Sequence, residues 1–271
     1  MSHNRSFERA LEHKVAAVAC SSEKAGVLSS GLQVMGAEVL ILNVIALQPI
    51  PDNMAFDAAL DELGRYDWAI LTSAYGAKLF AQRLREREIS FAGLSALKIG
   101  AIGPSTAKIL TESGLRVDLI PENFVAEGIL RALEEYHGSR RHLGGKRILL
   151  PRAQEARDIL PRSLRIAGAI VKVVPCYRNS LGTIPQEVKQ KMKAFPPDLL
   201  VFTSASAVNN LLTLLGSEEG RSLLRATTAA ALGPITAAAM QTHGKKAEIL
   251  PRENTIPSLL QAIREHFADF S

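Results

Sequence analysis

Tyr177, in the run VKVVPCYRN, carries a phenol whose type suits proton donation to a departing hydroxyl. An unperturbed tyrosine titrates near pH 10, so it still holds its proton at neutral pH. The same ring could serve as packing with a wet hydroxyl. Two hydroxyl pairs, Thr72-Ser73 and Thr203-Ser204, close apolar runs just before helical patterns begin. That is where ligands gather in open α/β sheets, and it is also where Thr or Ser caps a helix. One hydroxyl can do both, because the cap and the free amides share a crevice.

Two further stretches repeat this logic. Ile99 to Gly114 reads IGAIGPSTAKILTESG and Ala229 to Gly244 reads AAALGPITAAAMQTHG. Gly103, Pro104, Thr106, Ala107 and Gly114 fall on Gly233, Pro234, Thr236, Ala237 and Gly244 at a constant spacing of 130, with Ser105 and Ile235 the variable residues between. Each copy reads as strand, tight turn, helix with Pro near its first position and glycine at its end. A strand feeding straight into a helix leaves the first N–H groups unpaired, so two anion-receptive turns are expected. Thr106 and Thr236 could instead bond back to their own turns.

Other chemistries lack their residues. The six histidines, His3, His13, His137, His142, His243 and His266, show no metal-ligand spacing. No GxxxxGK[ST], GxGxxG or GxSxG follows a strand, which removes the usual phosphate, dinucleotide and serine-hydrolase signatures. Cys20 and Cys176 stand alone, as expected of semi-buried thiols in a reducing compartment. The Ser139 to Arg147 run, SRRHLGGKR, reads as a solvated basic connection. Across 271 residues the formal charge is +5, which suits an acidic ligand. The basic residues are dispersed and aromatics make up 5%, so no nucleic-acid signature appears. No apolar run is long enough for a bilayer and the N-terminus has no signal core, so no membrane partner and a cytoplasmic place are expected.

The elements that position these residues alternate throughout. Strands are expected at Val15 to Cys20, Glu38 to Leu42, Trp68 to Leu71, Lys98 to Ile102, Val117 to Ile120 and Ile148 to Leu150. Others follow at Ile170 to Val174, Leu199 to Phe202, Thr228 to Leu232 and Ala247 to Leu250, with helices between, one of them over Ala156 to Ala167. Asn43 to Asp52 and Pro175 to Pro185 read as irregular crossings. This is an α/β chain with doubly wound parallel sheets.

The repeat covers nearly everything. DWAILTSAYGAKLF from Asp67 falls on DLLVFTSASAVNNL from Asp198, and KVAAVACSSEKAGVL from Lys14 on KRILLPRAQEARDIL from Lys146. The order of units is rotated between halves. The expected solution is two similar domains joined by two linkers, about 43–52 and 175–185, with a ligand cleft between them. One domain is 1–46 with 181–271, and the other is the inserted 50–175.

These segments, with IPENFVAEGILRAL, VPCYRN and LPRENTIPSLLQAI, give the chain its resemblance to the uroporphyrinogen-III synthase family over nearly its full length. The resemblance implies a cofactor-free lyase that needs no metal. It would close hydroxymethylbilane into uroporphyrinogen III, inverting the last pyrrole ring through a spiro intermediate, with no nucleic-acid partner and as a monomer. Tyr177 would be the acid. Thr72, Ser73, Gly103 to Thr106, Thr203, Ser204 and Gly233 to Thr236 would meet the carboxylates. The family opens with Thr-Arg-Pro after its first strand, where this chain has Ala19-Cys20-Ser21, while Arg152 keeps its charge at the equivalent place in the other half. That departure leaves a second reading, a non-catalytic homologue binding a tetrapyrrole or small anion. A sugar-phosphate enzyme would have only the general fold in its favour.

Overall fold

Short apolar runs broken by Gly, Pro and hydroxyl residues fold as strand and helix in turn. In the computed structural model, which describes residues 9–90 and 96–268 and the side chains of all these except 22–24, the order begins β1 (Val15–Ser21), α1 (Ser22–Val34), β2 (Glu38–Pro49), α2 (Met54–Asp61), β3 (Trp68–Leu71), α3 (Ala74–Glu86). It continues β4 (Lys98–Ala101), α4 (Pro104–Glu112), α5 (Ala126–Tyr136), β5 (Arg147–Ala153), α6 (Ile159–Ile166), β6 (Ile170–Leu181) and α7 (Gln186–Ala194). Last come β7 (Leu199–Phe202), α8 (Ala205–Leu215), α9 (Ser217–Ala226), β8 (Thr228–Ala231), α10 (Pro234–Thr242) and α11 (Ile256–Ala268). His3 lies outside the described residues.

The chain divides into two compact units, Met1–Ala46 with Ser180–Ser271, and Leu47–Asn179. Strand order is β2-β1-β7-β8 in the first and β6-β5-β3-β4 in the second, parallel throughout. The two orders are the same once β1 is matched to β5, β2 to β6, β7 to β3 and β8 to β4. Parallel neighbours require crossovers, and the helices supply them.

Alternation along the strands sends side chains to two layers. In β3, Trp68 and Ile70 pack with Ile129, Leu133, Ile148 and Leu164, whereas Ala69 and Leu71 pack with Phe80, Leu84 and Leu149. Ala16, Val18, Leu199 and Val201 do the same beneath Leu28, Leu32, Leu259 and Ile263. Each such fully buried Leu, Ile or Trp contributes about 1.5–3 kcal/mol. The aspartates kept in both copies are staples: Asp67 accepts the Arg147 amide and Asp198 the Val15 amide, each at 2.8 Å.

Several boundaries differ from the sequence reading. The crossings at Asn43 to Asp52 and Pro175 to Pro185 are largely strand, since β2 runs to Pro49 and β6 to Leu181. Their prolines, which lack the ladder donor, hid this. Val117 to Ile120 and Ala247 to Leu250 reduce to single bridges, Gly100 with Leu119 and Ala230 with Ile249. The Asp118 and Glu248 carboxylates take the Ile99 and Ala229 amides, both at 2.9 Å, which a longer ladder would have used. Helix α6 starts at Ile159 rather than Ala156, because Arg152 Nη2 donates to the Arg157 carbonyl at 2.8 Å and holds the preceding turn out of the helix. Helix α9 was not foreseen.

Candidate functional site

Each unit gathers its hydroxyl pair and its Gly-Pro turn at the carboxyl ends of neighbouring strands. In the second unit Leu71 and Ala101 are register partners and Ile102 N–H donates to the Leu71 carbonyl at 3.0 Å, so Thr72-Ser73 and Gly103 emerge side by side. In the first, Phe202 pairs with Ala231 and Leu232 N–H donates to Phe202 at 3.0 Å, bringing Thr203-Ser204 beside Gly233.

The turns are built alike. Gly103 and Gly233 share φ −171° and ψ 177°, an extended conformation that any residue adopts. Glycine leaves room there: a Cβ at Gly103 would lie 3.2 Å from the exposed Phe124 ring, and one at Gly233 2.8 Å from Oδ1 of the exposed Asn254, so either side chain would have to shift. Neither helix has a side-chain cap, and Pro104 and Pro234 carry no N–H. That leaves the amides of Ser105 and Thr106, and of Ile235 and Thr236, without intrahelical acceptors. Such paired donors at the positive end of a helix suit a carboxylate. The side chains of Thr106 and Thr236 are buried, while Ser105 and Ile235 are exposed.

Ser73 and Ser204 cap α3 and α8, accepting from Gly76 N–H at 3.0 Å and Ala207 N–H at 3.2 Å. The second unit adds a phenol. Tyr177 donates its hydroxyl proton to Ser73 Oγ at 2.8 Å, and its ring is met edge-on by Tyr75 with centroids 5.1 Å apart. Tyr177 is 6% exposed. Ser73, at the strand-end corner, is half-buried.

Arg152 extends from the end of β5 and is also buried. Its Nη1 lies 3.5 Å from the Asp158 carboxylate, and burial pulls its pKa down, opposed by Asp158. With Thr72, Ile102, Ala126, Leu150 and Leu160 it borders a cavity of about 130 Å³. Cys176 is inert by burial, which pushes its thiol up to about 12. Among the described residues no His, Cys, Asp and Glu cluster could hold a metal, and no helix is long and apolar enough to cross a membrane.

Two contributors escaped the sequence reading, Gly76 and Tyr75. The signal was present as a break in the repeat, where SAYG faces SASA. A Cβ on Gly76 would sit 2.9 Å from Ser73 Oγ and 3.6 Å from the Tyr177 ring.

Twinned parallel α/β units, each with uncapped helix amides and a capping hydroxyl at the carboxyl ends of its strands, define a two-unit α/β protein. The chain matches the family described as Uroporphyrinogen-III synthase HemD over residues 26–261, and it belongs to that family. It is 35% identical over 205 residues to the putative uroporphyrinogen-III synthase of Methanothermobacter thermautotrophicus, covering 73% of this chain and 77% of that protein. It is 28% identical over 239 residues to the uroporphyrinogen-III synthase of Synechococcus elongatus, covering 86% and 88%. The fold matches the crystal structure of uroporphyrinogen-III synthetase from Helicobacter pylori with TM-score 0.58 at 19% identity, over 95% of this chain and 100% of that one.

Proposed function

We propose that this chain is a hydro-lyase that closes hydroxymethylbilane into uroporphyrinogen III. The observation that carries the reading is the Tyr177 to Ser73 hydrogen bond at the carboxyl end of β3 in a member of this family. The pyrrole nitrogen of the terminal ring pushes out the hydroxyl, leaving an azafulvenium cation. The far ring attacks through its already substituted carbon and gives a spiro intermediate. That intermediate opens, recloses at the free position and loses a proton, so the net change is release of one water.

Expulsion of the hydroxyl is assisted by the pyrrole itself, so the acid at Tyr177 and Ser73 has modest work. The harder task is holding a flexible chain so that the substituted carbon is the one attacked, and orientation of that kind supplies several kcal/mol. The amides at Ser105, Thr106, Ile235 and Thr236, with the Thr72 and Thr203 corners, hold the substrate's carboxylates. The net charge of +5 favours the approach of such an anion. A monomer working in the cytoplasm belongs to the same reading.

The test is to supply hydroxymethylbilane to the purified protein, oxidise the product and resolve the porphyrin isomers. Mainly type III supports the reading; only type I, the isomer of unassisted closure, removes it.

A further inference from the structure

The phenol is the more acidic hydroxyl of the pair and donates to Ser73 Oγ at 2.8 Å. Ser73 Oγ also accepts from Gly76 N–H. A hydroxyl has two acceptor sites and one proton, so the valence left to Ser73 is its own O–H. Both incoming bonds polarise that O–H and make it a better donor. Exposure points the same way, since the phenol is buried while Ser73 stands half-open at the corner.

We propose that Ser73 is the immediate proton donor to the departing hydroxyl, and that Tyr177 is the reservoir that refills it. The inference rests on the synthase reading above. As the hydroxymethyl C–O bond breaks, its electron pair stays on oxygen, which takes the Ser73 proton and leaves as water. Ser73 Oγ takes the phenol proton in the same motion. The resulting phenolate balances the azafulvenium cation. When the closed ring loses its C–H proton, that proton returns along the same path to the phenolate.

Duplication supplies an internal comparison. Position 45 in the first unit matches Tyr177 and holds Ile45, so Ser204 caps α8 with no phenol of that origin behind it. Gly76 is matched by Ala207, which shows that the cap alone tolerates a Cβ. Glycine is required where the phenol bond must also fit. At these matched positions the phenol is present in unit two and replaced in unit one.

The experiment uses the full chain with Ser73→Gly, Ser73→Thr, Tyr177→Phe and the Ser73→Gly/Tyr177→Phe double variant. Glycine at an N-cap costs only a few tenths of a kcal/mol. Ser73→Gly is expected to fold, keep KM within a few-fold and lose about 100-fold in kcat, the same loss as Tyr177→Phe. The double variant loses no more than either single one, because both remove one relay. Ser73→Thr restores turnover. Full turnover in Ser73→Gly, or losses that multiply, overturns the relay while type III product from the parent leaves the synthase reading standing. A parent that yields only type I removes both. Should Ser73→Gly fail to fold, kcat of the parent in H₂O/D₂O mixtures decides: two protons in flight give a bowed dependence on deuterium fraction, and a straight line overturns the relay.

Discussion

Tyr177 and Ile45 occupy the same place in the two units. Each follows a register shift between parallel strands, Tyr177 pairing with Ala153 after the shift at Arg152 and Ile45 pairing with Ser21 after the shift at Cys20. The backbone duplication is close enough to preserve even this irregularity, yet the side chains diverge there. Cys20 faces Arg152 across the repeat, and Ala207 faces Gly76. The strand-end corners were kept in duplicate, whereas the phenol and the buried guanidinium belong to the second unit.

The Gly76 position separates stability from chemistry. Alanine inside a helix is favoured over glycine by roughly 0.5–1 kcal/mol, so Gly76→Ala starts with a gain in folding. Its Cβ would stand 2.9 Å from Ser73 Oγ and displace it from Tyr177. The expected result is unchanged or slightly raised resistance to urea together with a kcat lowered about tenfold or more. Chemical denaturation paired with steady-state kinetics checks it, and a variant that matches the parent in turnover overturns it.

Arg152 is tied to the Arg157 carbonyl and lies near Asp158, with Thr72 across a small cavity. A hydrogen bond to a charged group is worth about 1.5–3 kcal/mol. Arg152→Gln keeps a donor for the carbonyl but loses the charge, and KM should rise roughly 10- to 100-fold with a much smaller change in kcat. Initial rates across substrate concentration measure this. A KM that stays put would leave Arg152 as a prop for the turn before α6.

Gly233→Ala probes the other unit's turn. Its Cβ would come to 2.8 Å from Asn254 Oδ1, so the exposed Asn254 side chain must swing aside and the new methyl crowds the approach to the Ile235 and Thr236 amides. Weaker binding of a polycarboxylate follows, about a fivefold rise in KM, with the type III isomer still formed. Product analysis beside the kinetics distinguishes this from loss of the acid.

Much of this architecture was legible because it was written twice. The Gly-Pro turns, the Asp67 and Asp198 staples and the Thr-Ser strand ends all recur at nearly constant spacing, and each repeats for a local reason that sequence carries. What stayed hidden was non-local or unrepeated. The Tyr177 to Ser73 bond joins residues 104 apart. Gly76 looked like an ordinary helix residue until the phenol stood beside it. Helix α9 lies outside the segments that repeat, so the duplication gave no sign of it. The strand character of β2 beyond Leu42 was masked by Pro49, and that of β6 by Pro175.

The chain's single tryptophan, Trp68, reports on a pH-sensitive contact remote from this chemistry. Its ring is fully buried and its Nε1–H donates to His137 Nε2 at 3.0 Å, so His137 must be neutral at that nitrogen for the bond to exist. Burial, helped by Lys146, holds the His137 pKa below its ordinary value. The unfolded chain therefore takes up this proton first, near pH 6.5, and the folded chain only at lower pH. The stability contributed is complete above about pH 6.5 and is lost as pH falls through the folded value. Urea unfolding followed by Trp68 emission should show a declining midpoint as pH drops from 7.5 to 5.5. In His137→Gln, whose amide oxygen accepts the same bond without titrating, that decline should flatten. An equal acid slope in parent and variant would assign the loss to other groups.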